Sequence, residues 1–244
     1  MHSPRLSVVI PAYNEAGRLP RTLERIGSYL AGHPELLPAE IVVVDDGSQD
    51  GTAACAGAFM PPRGVALVVQ SLGKNRGKGA AVREGLRLAT GELVLLCDAD
   101  LATPIEELEK LLPHAQGVAC GSRAVDRRLI ARRQPFLRDR LGRLFNLGLR
   151  FLGLTRLRDT QCGFKLLPGT LAKELAKALV FDGFIYDVEL LARAERAGYP
   201  VVEVPVRWAH VDESRVRPLR HGLGMLLDAL RLRWRLWWEP QARP

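Results

Sequence analysis

The sequence lacks the features that would place it in a membrane or in an oxidising compartment. It has no run of about 18 apolar residues, which is the length that a membrane-spanning helix needs. Its opening, "MHSPRLSVVIPAYNE", leads directly into a strand-like segment, so we expect no signal peptide. Its cysteines show no paired spacing, which argues for reduced thiols, no zinc site and a cytoplasmic location. They are Cys55, Cys97, Cys120 and Cys162.

Aromatic residues and lysines are both scarce. Aromatics make up 6% of the chain and, except at the C-terminus, do not alternate with basic residues as in a nucleic-acid stacking platform. We therefore expect no nucleic acid among the partners. Only 6 of the 35 basic residues are lysine, so arginine carries most of the positive charge.

The net charge of +8 is concentrated in two blocks. Residues 123–165 hold 12 basic and three acidic side chains, and residues 207–235 hold seven and three. Blocks of this kind favour a surface that contacts a phosphorylated substrate or an anionic membrane. A solvated arginine-rich surface is the alternative.

Short apolar segments alternate with helical patterns in the first half of the chain. The segments that predict strands are 6–10, 41–46, 65–70, 92–98 and 117–122. The helical patterns lie near 16–31, 51–59, 77–90 and 104–113. This alternation predicts an α/β fold with a Rossmann-like, mainly parallel sheet and helices on both faces.

The second half is less regular and ends in an amphipathic helix. Its patterns predict helices near 135–152 and 184–198, and strands near 162–167 and 200–208. The last helix carries an apolar stripe that is either a membrane anchor or a core-packing face. The stripe consists of Leu219, Leu223, Leu226, Leu230, Trp234 and Trp237. We expect one domain over 1–218, with halves 1–122 and 123–218, followed by a C-terminal helix and tail over 219–244.

Two carboxylates follow the fourth predicted strand. Asp98 and Asp100 flank the small residue Ala99 directly after a buried apolar run. Hard oxygen ligands at a strand end suit Mg²⁺ or Mn²⁺, which completes its shell with water and phosphate oxygens. A helix cap plus a surface acid is the structural alternative, because D-x-D alone is a weak signal.

Other polar residues follow the neighbouring strands. Asp46 can accept hydrogen bonds from a base or a ribose, although "DDGS" also favours a turn. Tyr13 can pack against a base, and Glu15 can bind a sugar hydroxyl. Lys78 lies among glycines before a helix, where backbone N–H groups could approach an anion. Since ligands of parallel sheets bind beyond the carboxyl ends of the strands, these residues are expected to face one crevice.

These motifs, in this order, resemble a known family. "VVIPAYNE", "VVVDDGSQDGT", "NRGKGAAVREG" and "CDAD" resemble the family 2 inverting glycosyltransferases of the GT-A fold. Further on, "RDTQCGFKLL", "YDVELL" and "VPVRWAHVDESRV" resemble the polyprenyl-phosphate hexosyltransferases, and among them the dolichyl-phosphate β-glucosyltransferase group. A nucleotidyltransferase of similar fold is disfavoured, because "PAYNE" stands where such enzymes have a glycine-rich loop.

The resemblance implies a role for each donor-side residue. The nucleoside would be held by Pro11, Tyr13, Glu15 and Asp46, with Lys78 nearby. Asp98 and Asp100, with Ala99 between them, would hold Mg²⁺ or Mn²⁺ on the diphosphate. Arg215 would close over the diphosphate. The sequence departs from the mannosyl relatives at Ala102, where these often have a metal-contacting glutamine.

The resemblance also implies an acceptor side and a reaction. Arg123 and Arg138 would bind the acceptor phosphate, and Asp159 and Asp187 would lie near the reaction centre. The expected reaction is inverting transfer of a hexose from UDP-glucose to a polyprenyl phosphate, by an enzyme attached peripherally to the cytoplasmic face of an anionic membrane. GDP-mannose as donor, or a soluble acceptor, is the alternative. A hydroxyl acceptor would need a base, for which Asp187 is the candidate.

Overall fold

A seven-stranded sheet forms the centre of the protein in a computed structural model, which describes residues 3–132, 134–211 and 218–239. The strands are β1 (Leu6–Ala12), β2 (Ala39–Asp45), β3 (Val65–Ser71), β4 (Leu93–Leu96), β5 (Val118–Ser122), β6 (Ile130–Arg132), β7 (Lys165–Pro168), β8 (Val201–Pro205) and β9 (Trp208–Ala209). The order in the large sheet is β3-β2-β1-β4-β7-β5-β8, and β6 pairs with β9 in a small second sheet.

The large sheet is mainly parallel, as predicted, with one strand reversed. β7 lies between β4 and β5 and runs antiparallel to both, whereas the β1–β2, β2–β3, β1–β4 and β5–β8 pairs are parallel. The reversal has a structural consequence. β7 begins at the edge of the sheet where its neighbours end, so Lys165 pairs in register with Leu96 and with Cys120. The apolar pattern of 162–167 predicts a strand there but carries no information on its direction.

Helices cover both faces of the sheet, which confirms the predicted fold class. They are α1 (Leu19–Ala31), α2 (Thr52–Gly57), α3 (Lys78–Leu88), α4 (Leu108–Leu111), α5 (Phe136–Phe151), α6 (Gly169–Ala178), α7 (Tyr186–Arg196) and α8 (Pro218–Trp238). Successive residues of β1 show the two faces. Val8 belongs to a buried cluster with Leu23 of α1, while Val9 belongs to a second cluster with Leu86 of α3.

Two elements differ from the sequence patterns. The helix predicted over 104–113 is a single α-helical turn, α4, between two short 3₁₀ segments. Helix α6 has no counterpart among the predicted helices, although its apolar face, Leu171, Ala172 and Leu175, is buried. Pro168 and Gly169 precede that face and read as a loop.

Helix α8 packs through a narrow stripe that differs from the predicted apolar stripe, so core packing is excluded for the described residues of that stripe and the membrane anchor stays a prediction. Its buried residues Ala229, Leu232 and Leu236 join a cluster with residues of α5 and α7. The predicted stripe faces solvent instead, with exposures of 44% to 66% at Leu226, Leu230, Trp234 and Trp237. The side chains of Leu219 and Leu223 lie outside the described residues. Among the helices that the structure describes, none is long and apolar enough to cross a membrane.

Gly47 and Gly51 provide a matched test of the turn that follows β2. Both have positive φ, +71° and +86°. A Cβ at Gly47 would lie 2.3 Å from the backbone carbonyl carbon of Lys74, whereas a Cβ at Gly51 would meet nothing within 4 Å. We predict that Gly51→Ala lowers the free energy of unfolding by about 1 kcal/mol through backbone strain alone. Gly47→Ala should cost about 2 kcal/mol or more, because the Lys74 loop must also move.

Denaturant unfolding of both variants measures this difference. Equal losses at the two positions would show that the close approach of residue 74 does not constrain the turn.

Candidate active site

Three neighbouring strands bring their polar ends to one edge of the sheet. β2, β1 and β4 are adjacent and parallel, so their carboxyl ends lie side by side. Backbone bonds tie the ends together, from Asp46 N–H to the Ala12 carbonyl at 2.8 Å and from Cys97 N–H to the Val9 carbonyl at 3.0 Å. The prediction that these strand ends share one edge is confirmed.

A tight turn presents the two carboxylates that follow β4. Leu101 has a φ of +47°, an uncommon conformation for a residue with a side chain. Its N–H donates to the Asp98 carbonyl at 3.1 Å, and the Ala102 N–H donates to Asp100 Oδ1 at 3.0 Å. Ala99 is buried, and its carbonyl accepts a hydrogen bond from Thr22 Oγ1 at 2.7 Å. The turn is therefore fixed from both sides, while both carboxylates stay partly exposed.

Lys78 binds the first of these carboxylates. Its Nζ lies 2.5 Å from Asp98 Oδ1. Burial raises the pKa of Asp98, but the charge and hydrogen bond of Lys78 outweigh burial and hold that pKa below its usual value. Burial and the charge of Asp98 raise the pKa of Asp100. The negative charge of Asp100 is costly in this position, and a second cation beside Lys78 would offset it.

The donor set at this turn fits a divalent cation. Asp98 and Asp100 offer hard oxygen ligands on a rigid turn, as Mg²⁺ and Mn²⁺ prefer. Within the described residues, no group of three or more His, Cys, Asp or Glu side chains converges to form a complete protein site. A metal held here would therefore take its other ligands from substrate oxygens and water.

The glycine-rich loop before α3 positions Lys78 and is not an open anion cradle. The N–H groups of Arg76 and Gly77 donate to the two carboxylate oxygens of Asp46, each at 2.8 Å. The Gly79 N–H donates to the Asp182 carbonyl at 2.7 Å. Burial raises the pKa of Asp46 even though both backbone bonds lower it. These backbone donors already have partners in the protein, so the loop offers an anion cationic side chains, Lys78 among them, and not its N–H groups.

The segment that follows β1 is bonded to the turn that follows β2, where the Asn14 N–H donates to Ser48 Oγ at 2.7 Å. Pro11 pairs in register with Val44, and Tyr13 is partly buried. Glu15 is held by Arg18, with a shortest separation of 2.7 Å between guanidinium and carboxylate. The nucleoside contacts expected of Pro11, Tyr13, Glu15 and Asp46 stay predictions.

A second cation–carboxylate pair lies at the end of β5. The Arg123 guanidinium binds Asp159 in bidentate fashion, with Nε at 2.7 Å from Oδ2 and Nη2 at 2.8 Å from Oδ1. Its face lies over the Trp208 ring, 5.3 Å from the ring centroid. Burial raises the pKa of Asp159, but Arg123 outweighs burial and lowers it. Trp208 thus joins the site without having been predicted from the sequence.

A third pair is fully inside the protein. Lys165, at the start of β7, has no exposed surface, and its Nζ lies 2.5 Å from Asp187 Oδ1. Burial lowers the pKa of Lys165, but Asp187 outweighs burial and raises it. The charges of Lys165 and Arg123 both act to lower the pKa of Asp98. The three pairs therefore form one charged cluster at the sheet edge.

Two of the predicted site residues cannot be placed. Arg138 lies in α5, but its side chain is outside the described residues, and Arg215 lies in a segment that is outside them altogether. Lys165 shows what the sequence patterns missed, because a lysine inside a short apolar strand gives no sign of its partner.

The family profile described as glycosyl transferase family 2 matches residues 7–175. The chain belongs to glycosyltransferase family 2. This glycosyltransferase is 39% identical over 245 residues to the dolichyl-phosphate β-glucosyltransferase of Homo sapiens. The alignment covers 95% of this chain and 75% of the human protein. The expected activity, transfer of a hexose to a polyprenyl phosphate, fits this relative.

Solved structures share the fold of this glycosyltransferase. Glucosyl-3-phosphoglycerate synthase from Mycobacterium tuberculosis, in complex with Mn²⁺ and UDP-glucose, has a TM-score of 0.62 at 23% identity, covering 94% of this chain and 79% of that one. A mannosyltransferase from Pyrobaculum calidifontis, in complex with GDP-Man and Mn²⁺, has a TM-score of 0.61 at 20% identity, covering 100% and 67%. These likenesses confirm the expected GT-A fold.

Removing one member of the buried Arg123–Asp159 pair should be strongly destabilising. Asp159 is 7% exposed, so we predict that Asp159→Asn, which leaves Arg123 without its counter-ion, lowers the free energy of unfolding by about 3 kcal/mol. Because the pKa of Asp159 is lowered in the folded protein, this stabilisation is full above about pH 4 and is lost as the pH falls below it. Denaturant unfolding at pH 7 and at low pH measures both effects.

The control is Asp126→Asn, which removes the partner of the exposed Arg128 and should change stability little. An equal loss in the two variants would contradict the importance of burial at Asp159.

Proposed function

We propose that this glycosyltransferase moves glucose from UDP-glucose to a polyprenyl phosphate, with the acceptor phosphate attacking without a general base. One observation carries the choice of a phosphate acceptor. Both acidic residues expected near the reaction centre are held by cations, Asp159 by Arg123 and Asp187 by Lys165. Both carboxylates are buried and engaged by their cations, so neither is placed to take a proton from a substrate hydroxyl, which disfavours a hydroxyl acceptor. A phosphate is already anionic at neutral pH and needs no deprotonation.

Asp98 and Asp100 are the residues that would hold Mg²⁺ or Mn²⁺. The cation would supply positive charge to offset the charge that develops on the departing nucleoside diphosphate. The complexes of the solved neighbours with Mn²⁺ and a nucleotide sugar support a divalent metal.

The chain's own residues position the two substrates. Lys78, held at the strand end by Asp98, adds positive charge beside the diphosphate. Arg123, fixed on its edge by Asp159 and on its face by Trp208, is oriented for the acceptor phosphate. An acceptor oxygen forms a bond to the anomeric carbon as the bond from that carbon to the diphosphate oxygen breaks. Attack from the opposite side converts an α-linked donor into a β-linked product.

A transfer assay tests the proposed function. Purified protein is supplied with Mg²⁺ or Mn²⁺, with radiolabelled UDP-glucose or GDP-mannose, and with or without polyprenyl phosphate. We predict lipid-dependent movement of label from UDP-glucose into the organic phase. Asp100→Asn should lower the rate about 100-fold or more, because it removes a charged ligand without changing side-chain size. Glu84→Gln, which removes an acid paired with Arg87 on α3, is the control and should leave the rate unchanged.

The alternatives give different results in the same assay. Label transferred from GDP-mannose would assign the mannosyl donor. Release of nucleoside diphosphate without organic-phase label would move the acceptor to a soluble compound and contradict the proposed acceptor.

We also propose that the protein attaches peripherally to an anionic membrane through α5 and α8, which pack against each other. Both helices expose apolar side chains, among them Phe151 at 92% and Trp237 at 66%. Arginines accompany them: Arg140 stacks on the exposed Phe136 at 4.3 Å, and Arg231 is 69% exposed. Exposed apolar side chains with neighbouring arginines are typical of helices that lie in a bilayer interface.

Vesicle flotation tests this attachment. We predict binding to vesicles that contain phosphatidylglycerol and weaker binding to vesicles of phosphatidylcholine alone. The double variant Trp237→Ser/Trp238→Ser should lose most of the binding, because it removes two exposed aromatic side chains. Met60→Ser is the control, since Met60 is 86% exposed but lies outside both helices. Equal loss in the control would contradict the assignment of the surface.

A further inference from the structure

Lys165 is a charged residue in a place where charge is costly. It has no exposed surface and lies on β7, between β4 and β5. Its Nζ donates to Asp187 Oδ1 at 2.5 Å and to the Cys162 carbonyl at 2.6 Å. A fully buried lysine is rare unless its charge is paired, and pairing by itself seldom adds stability over an apolar residue of similar size. Its two hydrogen bonds therefore indicate a role other than stabilisation.

Each partner of Lys165 is next in sequence to a residue that lies against Asp98 or against Lys78. Cys162 precedes Gly163, which lies against the Asp98 carboxylate so closely that a Cβ there would be 2.1 Å from Oδ2. Asp187 follows Tyr186, and the Tyr186 ring centroid lies 5.9 Å from the Lys78 Nζ that binds Asp98. One bond of Lys165 thus fixes the segment on one side of Asp98, and the other bond fixes the start of α7 beside Lys78.

We propose that Lys165 is a positioning residue that holds the Asp98 carboxylate in place for the metal–nucleotide complex without touching the substrate. The inference rests on the proposed function, in which Asp98 and Asp100 hold the divalent cation. Lys165 joins the 162–163 segment to α7. The residues packed around Asp98 therefore keep their positions, and the carboxylate keeps one orientation. Mutation of groups that orient a metal ligand from behind typically costs about 10- to 100-fold in metal affinity.

The experiment measures binding of Mn²⁺ in the presence of UDP, by the electron paramagnetic resonance signal of free Mn²⁺, together with denaturant unfolding. Lys165→Met leaves Asp187 buried without its partner, so it should lower stability and weaken Mn²⁺ binding about tenfold or more. The double variant Lys165→Met/Asp187→Leu removes both charges and should recover stability. Its Mn²⁺ binding should stay weak, because the tie between β7 and α7 is still absent.

Two further variants test the same inference if Lys165→Met does not fold. Asp187→Asn preserves size but weakens the tie, and Gly163→Ala crowds Asp98 directly. Both should weaken Mn²⁺ binding in the folded protein. Lys110→Met is the matched control, because it removes a lysine that lies 2.6 Å from another buried carboxylate, that of Glu107 on the 3₁₀ turn before α4. It should leave Mn²⁺ binding unchanged.

The outcomes separate this inference from the proposed function. Wild-type Mn²⁺ binding in Lys165→Met, or recovery of both stability and binding in the double variant, would overturn the positioning role. A wild-type protein that binds UDP without Mn²⁺ would overturn the metal role of Asp98 and Asp100 and this inference with it, but not the proposed transfer reaction. Intact Mn²⁺ binding without transfer to any lipid phosphate would overturn only the proposed acceptor.

Discussion

The contact between Lys78 and Asp98 is the interaction on which the rest of the site depends. Parallel strands bring acidic residues to one edge of the sheet, where the carboxylates would repel one another without positive charge between them. Lys78 supplies that charge from a different element, the start of α3, at 2.5 Å. The loop that carries it is fixed in turn by the Asp46 carboxylate and the Asp182 carbonyl. Strand β2, strand β4 and helix α3 are therefore joined at one point.

Reversal of a single strand gives this edge a second source of positive charge. A parallel strand in the place of β7 would bring its last residue to the edge, whereas the antiparallel strand brings its first, Lys165. The Lys165 ammonium group lies inside the sheet, behind the carboxylates, and has no exposed surface. Removing a charge from water is costly, and the cost is offset here by two short bonds to oxygen. The arrangement exchanges stability for a fixed geometry around Asp98.

The sequence predicts the acidic residues of the site better than their partners. Asp46, Asp98 and Asp100 follow apolar strands, and the rule that parallel strands end at one edge places them together. The partners of these acids depend on contacts far apart in the chain, such as those that bring Lys165 to Asp187. Periodicity cannot reveal such contacts. In α8 likewise, spacing predicts a helix, but the face that is buried follows from packing against α5 and α7.

The fold alone does not decide which acceptor the enzyme uses, but the charges around the carboxylates restrict the choice. A glucosyl-3-phosphoglycerate synthase and a mannosyltransferase share this fold, so the sheet does not decide the acceptor. In this site Asp159 and Asp187 are each paired with a cation. An enzyme that takes a proton from a hydroxyl needs a carboxylate whose charge is not neutralised in this way. A site that neutralises both favours an acceptor that arrives already charged, and a phosphate meets that requirement.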